Sequence, residues 1–172
     1  MRLTTKGRFA VTAMMDLALH DRKIGDPVSL MSICERQNIS ISYMEQLFSR
    51  LRRHGLISSV RGPGGGYHLA RPMPKISVID IIYAVDEHLD ATLCGGGENC
   101  HNQTRCITHD LWYALNQQML NYLRSVSLGD LVAQYANRQG GVLPPLASPA
   151  RRGRNFRNAA PKRKPEGARD AA

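Results

Sequence analysis

Apolar residues recur at helical spacing through most of the first 135 positions. Ala10, Met14, Leu17 and Ala18, with Val11 beside them, line one face of a predicted helix over Thr5 to His20. Asp26-Pro27 marks a break. Ser29 has the chemistry of an N-cap for a short helix through Gln37, with Leu30 and Ile33 facing inward. Asn38-Ile39-Ser40 reads as a tight turn. Ser42 and Glu45 have capping-box spacing, so a third helix is expected to start near Ser40 to Ser42 and to run to His54, with Gly55 as its stop. On that helix Met44, Leu47, Phe48 and Leu51 fall at i, i+3, i+4 and i+7 and predict one buried face.

Leu56–Arg61 and Tyr67–Leu69 are short β-prone runs on either side of Gly62-Pro-Gly-Gly-Gly66, the pattern of a hairpin. Two close helices, a third helix and then a hairpin is the order of a winged helix-turn-helix. Beyond Pro72 and Pro74, Ser77 caps a helix with Ile79, Ile82, Tyr83 and Val85 as its apolar positions. Residues 86–106 read as a Gly- and Cys-containing loop. A long amphipathic helix is expected over about Ile107 to Ser125, carrying Leu111, Leu115, Met119, Tyr122 and Leu123, and Ser127 caps a last helix through Tyr135. The fold class is therefore mainly α.

Charge divides the 172 residues into three regions. Residues 1–75 carry 12 Lys and Arg against 5 Asp and Glu; residues 76–137 carry 2 against 7; residues 138–172 carry 9 against 2. The basic first region suits a polyanion. The last region holds five of the nine prolines and few large apolar residues, which predicts a disordered basic tail. No apolar run approaches the ~20 residues of a membrane span, and the N-terminal charges precede no apolar core of a secretory signal. Four cysteines without an export signal point to the reducing cytoplasm, where clustered thiols serve metal or redox chemistry.

The strongest chemical pattern is Cys94-x5-Cys100-x5-Cys106-x2-His109. Three thiolates and an imidazole favour zinc, copper(I) or an iron–sulfur cluster. Structural zinc sites usually pair their ligands more closely, and the x5 spacings fit them poorly. A [2Fe–2S] cluster spreads four ligands over two irons and tolerates wider loops. Gly95, Gly96 and Gly97 leave the backbone unobstructed. One helical turn from Cys106 to His109 places the two on the same side. Cys34, beside Ile33 in the second helix, reads as a small buried hydrophobe. His88 and His101 are reserve ligands.

The second pattern is the exposed side of the third helix. Ser40, Ser42, Tyr43, Glu45, Gln46 and Arg50 are candidate DNA contacts, since the start of such a helix enters a major groove. Gln pairs with adenine and Glu accepts from cytosine N4. Glu45 is equally suited to capping Ser42, and both roles are open. Arg61 on a Gly-rich tip is suited to a minor groove. No Gly-Lys-Ser/Thr follows the glycines, which argues against a nucleotide loop, and no constellation for nucleophilic or acid–base catalysis is visible.

Residues 1 to about 135 resemble the Rrf2 family of bacterial transcription regulators. The resemblance rests on Met1-Arg-Leu-Thr4, Lys6-Gly-Arg8, Ala10–Met14, Tyr43–Arg52, Ser58–Tyr67, Ala84-Val-Asp-Glu87 and the Cys94, Cys100, Cys106 and His109 set. It implies a homodimer with one [2Fe–2S] cluster per subunit, those four residues as ligands, and the long helix after the loop packed against its partner. It further implies a repressor or activator that binds two-fold-related half-sites of double-stranded DNA. Such a regulator represses cluster-assembly genes when its cluster is present, and the cluster-assembly machinery is its cluster source. Glu45 would tune selectivity between classes of site. The expected division is a DNA-binding region at 1–75, a cluster loop and dimerisation helices at 76–137, and the tail at 138–172, to which no function is carried. The rival readings are the same fold with a structural zinc, and a cluster carrier or redox protein that binds no DNA.

Overall fold

The computed structural model describes residues 4–21, 26–92, 94–100 and 104–138. The expected tail, apart from Arg138, and His101 lie outside the described residues. The element order is α1 (Thr5–His20), α2 (Leu30–Gln37), α3 (Ile41–Arg53), β1 (Ile57–Val60), β2 (Gly66–Leu69), a 3₁₀ turn (Met73–Lys75), α4 (Val78–Ala84), α5 (His109–Ser125) and α6 (Leu128–Arg138).

The α3 periodicity is realised in full: Met44, Leu47, Phe48 and Leu51 are all buried. Each such burial is worth about 1.5–3 kcal/mol, which holds a helix too short to persist alone. The turn into α3 is made by Asn38 in the left-handed region (φ 52°), with its N–H and that of Ile39 on the Cys34 carbonyl. The Ser42–Glu45 capping box does not form. Ser40 takes the extended N-cap conformation, α3 starts at Ile41, and Ser42 is already inside the first turn. Glu45 is therefore left on the surface of α3 without a capping role.

At the other end Gly55 adopts φ 66°, as a helix stop requires. β1 and β2 pair antiparallel with Ile57 opposite Leu69 and Val60 opposite Gly66. Val28 adds a bridge through mutual hydrogen bonds with Tyr67 (3.0 and 2.9 Å). Gly66 lies so close to the Val28 carbonyl that any Cβ would collide with it. The C-terminus of α1 is tied to this sheet by Asp21, whose carboxylate accepts from the Leu69 N–H (2.7 Å) and sits 2.7 Å from His68 Nδ1.

Ser77 and Asp80 form a reciprocal capping box on α4, and Ser127 and Asp130 do the same at the start of α6. A second bridge joins the two starts: Val78 N–H donates to the Val126 carbonyl (2.9 Å) and Leu128 N–H to that of Ile76 (2.8 Å). Ile76, Ile81, Ala84, Val85 and Leu128 belong to the same core as Phe48 and Leu17, so one core spans the two charge regions on either side of residue 75.

Helix α5 begins at His109 rather than Ile107. It packs on α4 but buries only His109 and Leu120. Its expected apolar stripe remains open: Leu111 is 61% exposed, Leu115 41% and Tyr122 67%.

Candidate nucleic-acid interface and metal centre

Helix α3 presents Ser42, Glu45, Gln46, Ser49, Arg50 and Arg53 to one open groove of about 430 Å³, which Asp86 also lines. Ser40 is exposed at the N-cap. Tyr43 is half-buried, its ring edge-on to Phe9 at 5.9 Å, so packing uses part of this side chain. Arg50 is ion-paired with Asp86 and donates to the Val85 carbonyl at 3.4 Å. Arg52 donates to Ser59 Oγ (3.3 Å), bracing the basic end of α3 against the hairpin. Arg61 is exposed where the hairpin turns through Gly62 and Gly64. Asp86 was not singled out by sequence reasoning, because nothing local links it to α3.

The thiol loop leaves the core at Glu87. This buried carboxylate accepts from Thr4 N–H (2.6 Å) and Thr4 Oγ1 (2.7 Å). Further on, Thr92 is held by Asp90 and its Oγ1 accepts the Gly96 N–H (2.9 Å), while Asn116 of α5 accepts the Ala91 N–H (3.0 Å). Gly95 and Gly96 have φ 64° and 81°, which a side chain would resist.

These restraints bring three of the four expected ligands together. Cys94 Sγ is 3.4 Å from Cys100 Sγ, and His109 Nδ1 lies 3.2 Å from Cys100 and 3.6 Å from Cys94. The three donor atoms all fall within 4.8 Å of one another. Cys106 lines the same cavity of about 330 Å³, yet its Sγ contacts Thr108 Oγ1 at 3.7 Å and it stands outside the tight trio. Cys106 and His109 are one turn apart and line the same cavity, as expected, although that turn lies ahead of α5 rather than within it. Cys106 precedes α5, and a backbone hydrogen bond from His109 N–H to its carbonyl (3.1 Å) links the two. The His109 ring is 4% exposed as a residue and stacks on Tyr113 at 6.1 Å.

The electrostatics separate the thiols. At Cys94 partial burial opposes the charged form, but hydrogen bonds from Cys100 and from the Gly96 and Glu98 backbones outweigh it, and the thiol is pulled down to about 7. Thr108 and Cys100 lower Cys106. At Cys100 the Cys106 backbone favours the thiolate, but burial and the two neighbouring sulfurs win and push the thiol up. A soft cation that displaces these protons is what such a set suits. Cys34 is buried, and burial pushes its thiol up, as expected of a structural residue. His88 lies against Tyr83 rather than in the cavity.

A family model described as an iron-dependent transcriptional regulator, Rrf2, matches residues 3–134. The chain belongs to the Rrf2 family. Among Rrf2-type relatives, the HTH-type transcriptional regulator IscR of Photorhabdus laumondii is 57% identical over 132 residues, covering 77% of this chain and 79% of that one. A putative HTH-type regulator of Neisseria meningitidis serogroup B is 55% identical over 140 residues, covering 81% and 93%. The solved structure of T. potens IscR superposes with a TM-score of 0.65 at 36% identity, covering 81% of this chain and 91% of that one. CymR, the global cysteine regulator of B. subtilis, gives 0.62 at 31%, covering 78% and 98%. The fold is thus the winged helix-turn-helix of Rrf2 regulators, mainly helical with a small antiparallel sheet. The chain is a DNA-binding regulator of an IscR-like kind, not an enzyme. No helix among the described residues is long and apolar enough to cross a membrane.

Proposed function

We propose that the chain is a cytoplasmic, homodimeric regulator whose choice of DNA site follows the state of a [2Fe–2S] cluster. Cys94, Cys100, Cys106 and His109 would hold one cluster per subunit, supplied by the cluster-assembly machinery. Bound there, the group supplies a one-electron centre with mixed thiolate and imidazole ligation. The observation that carries the reading is the meeting of Cys94, Cys100 and His109 in one cavity that Cys106 also lines.

The chain's own residues divide the work. Thr92, Gly95 and Gly96 shape the loop, and the start of α5 holds His109. Ser40, Ser42, Tyr43, Glu45 and Gln46 face the major groove, with Glu45 discriminating between site classes, while Arg61 enters the minor groove. Helix α5 covers its open stripe with the same stripe of a second copy. The cluster shifts DNA choice by interacting differently with the two DNA-binding geometries. The resulting regulator represses cluster-assembly genes while its cluster is present.

One observation favours a second reading. Three donors within 4.8 Å suit a single ion, with Cys106 as a fourth ligand, which describes a structural zinc. Oxygen-free purification followed by iron, acid-labile sulfide and zinc counts decides between them. About two irons and two sulfides per chain, with a red-brown absorption, support the cluster. Colourless protein with one zinc per chain overturns the sensing role and leaves the DNA-binding role standing.

A further inference from the structure

Helix α3 carries Arg50 and Arg53 on the face that the proposed function turns toward DNA, and Arg50 is already engaged within the chain. Its guanidinium is ion-paired with Asp86 and also donates to the Val85 carbonyl (3.4 Å). Asp86 comes from a different part of the chain, one residue beyond the C-cap of α4. It adopts φ 55°, a left-handed conformation that Asp and Asn tolerate better than other side chains. The backbone is locked there from both sides. Asp86 N–H donates to the Tyr83 carbonyl (3.0 Å), and the next residue, Glu87, is buried on Thr4. The Asp86 side chain is nevertheless 59% exposed and borders the same groove as Ser42, Glu45, Gln46, Ser49 and Arg53. A carboxylate on a well-fixed stretch of backbone thus borders the surface that the proposed function turns toward a polyanion.

We propose that Asp86 is a specificity-determining residue: by holding Arg50, it keeps this cation from gripping backbone phosphate. An unpaired Arg on this face would attach to any duplex, since phosphate contacts carry no sequence information. Neutralising it lowers sequence-independent binding and leaves the choice of site to the polar side chains of α3. The inference rests on the reading of α3 as the DNA-contacting helix.

The test is a set of fluorescence-anisotropy titrations with full-length chain of matched metal content, between 50 and 200 mM salt. Two probes are used: a random-sequence duplex, and a duplex selected from a random library by the wild-type chain. D86N keeps the left-handed backbone and removes the charge. It is expected to tighten random-duplex binding by about three- to tenfold at 50 mM salt, and to steepen log K against log salt by about 0.9 for each Arg50 released. Binding to the selected duplex gains less, so the ratio between the probes falls. The double variant D86N/R50A should then show the slope of R50A alone. Equal slopes for wild type and D86N overturn the proposal, as does a gain that survives removal of Arg50. If D86N melts early, D86G, for which φ 55° carries no strain, must meet the same expectation. A wild-type chain that binds neither duplex overturns the DNA reading of α3 along with the proposal.

Discussion

Glu87 shows how one side chain fastens the root of the thiol loop. Burial works against its charge, but hydrogen bonds from Thr4 and the Gly7 backbone, with the positive charge of Lys6 nearby, prevail, so its carboxyl stays below the ordinary 4.5. The stabilisation is present above about pH 4.5 and is lost as pH falls through the lower folded value. Glu87→Gln should therefore cost about 1–3 kcal/mol at pH 7. The gap from wild type should close as the pH drops below that range, as followed by thermal unfolding at several pH values. At the metal centre, alanine in place of Cys94, Cys100 or Cys106 should each lower the bound metal count of oxygen-free preparations. Full metal content in all three variants would remove the ligand assignment. Arg61→Ala should weaken binding to a selected duplex several-fold, the loss of about 1 kcal/mol that a lost groove contact implies, and a mobility-shift titration reads it directly.

Among the elements, α5 is the one whose sequence pattern and surroundings disagree. Its stripe of Leu111, Leu115 and Tyr122 is as periodic as that of α3, yet it stays open in the single chain. Leu115→Glu should convert a dimer to a monomer in light scattering while leaving the circular dichroism spectrum unchanged; a dimer that persists would place the interface elsewhere. The contrast explains what sequence reading reaches. Met44, Leu47, Phe48 and Leu51 were legible because periodicity reports a buried face. Periodicity does not report what buries it, so α5 was legible as amphipathic only. The misplaced cap has a similar cause: Ser40 and Ser42 are both good cap residues, and only the backbone chooses. Cys94, Cys100 and His109 were legible from type and spacing. The offset of Cys106 was not, because it follows from where α5 begins. Asp86 was legible only as part of the Ala84–Glu87 match; its tie to Arg50 was not, because the two lie 36 residues apart.

At the scale of the whole molecule, α3 and the thiol cavity are joined by covalent and packed material rather than by a linker. The core that carries α3 also carries α4, and the thiol loop departs from the end of α4. In a dimer built on α5, two α3 helices should be spaced by about 34 Å, one turn of DNA. A footprint with two-fold symmetry at that spacing is the expected result, and an asymmetric one would contradict the assembly.

The bridge between Ser77 and Ser127 gives this arrangement a purse-string geometry. Two backbone hydrogen bonds draw the start of α4 and the end of α5 together, and Leu128 plugs that junction into the core. The chain between the two serines is thus a loop closed at its base, anchored along its first arm by the core residues of α4 and open along the stripe of α5. A backbone cut within the thiol loop should therefore leave α5 and α6 attached to the body, through this junction and through Leu128 in the core.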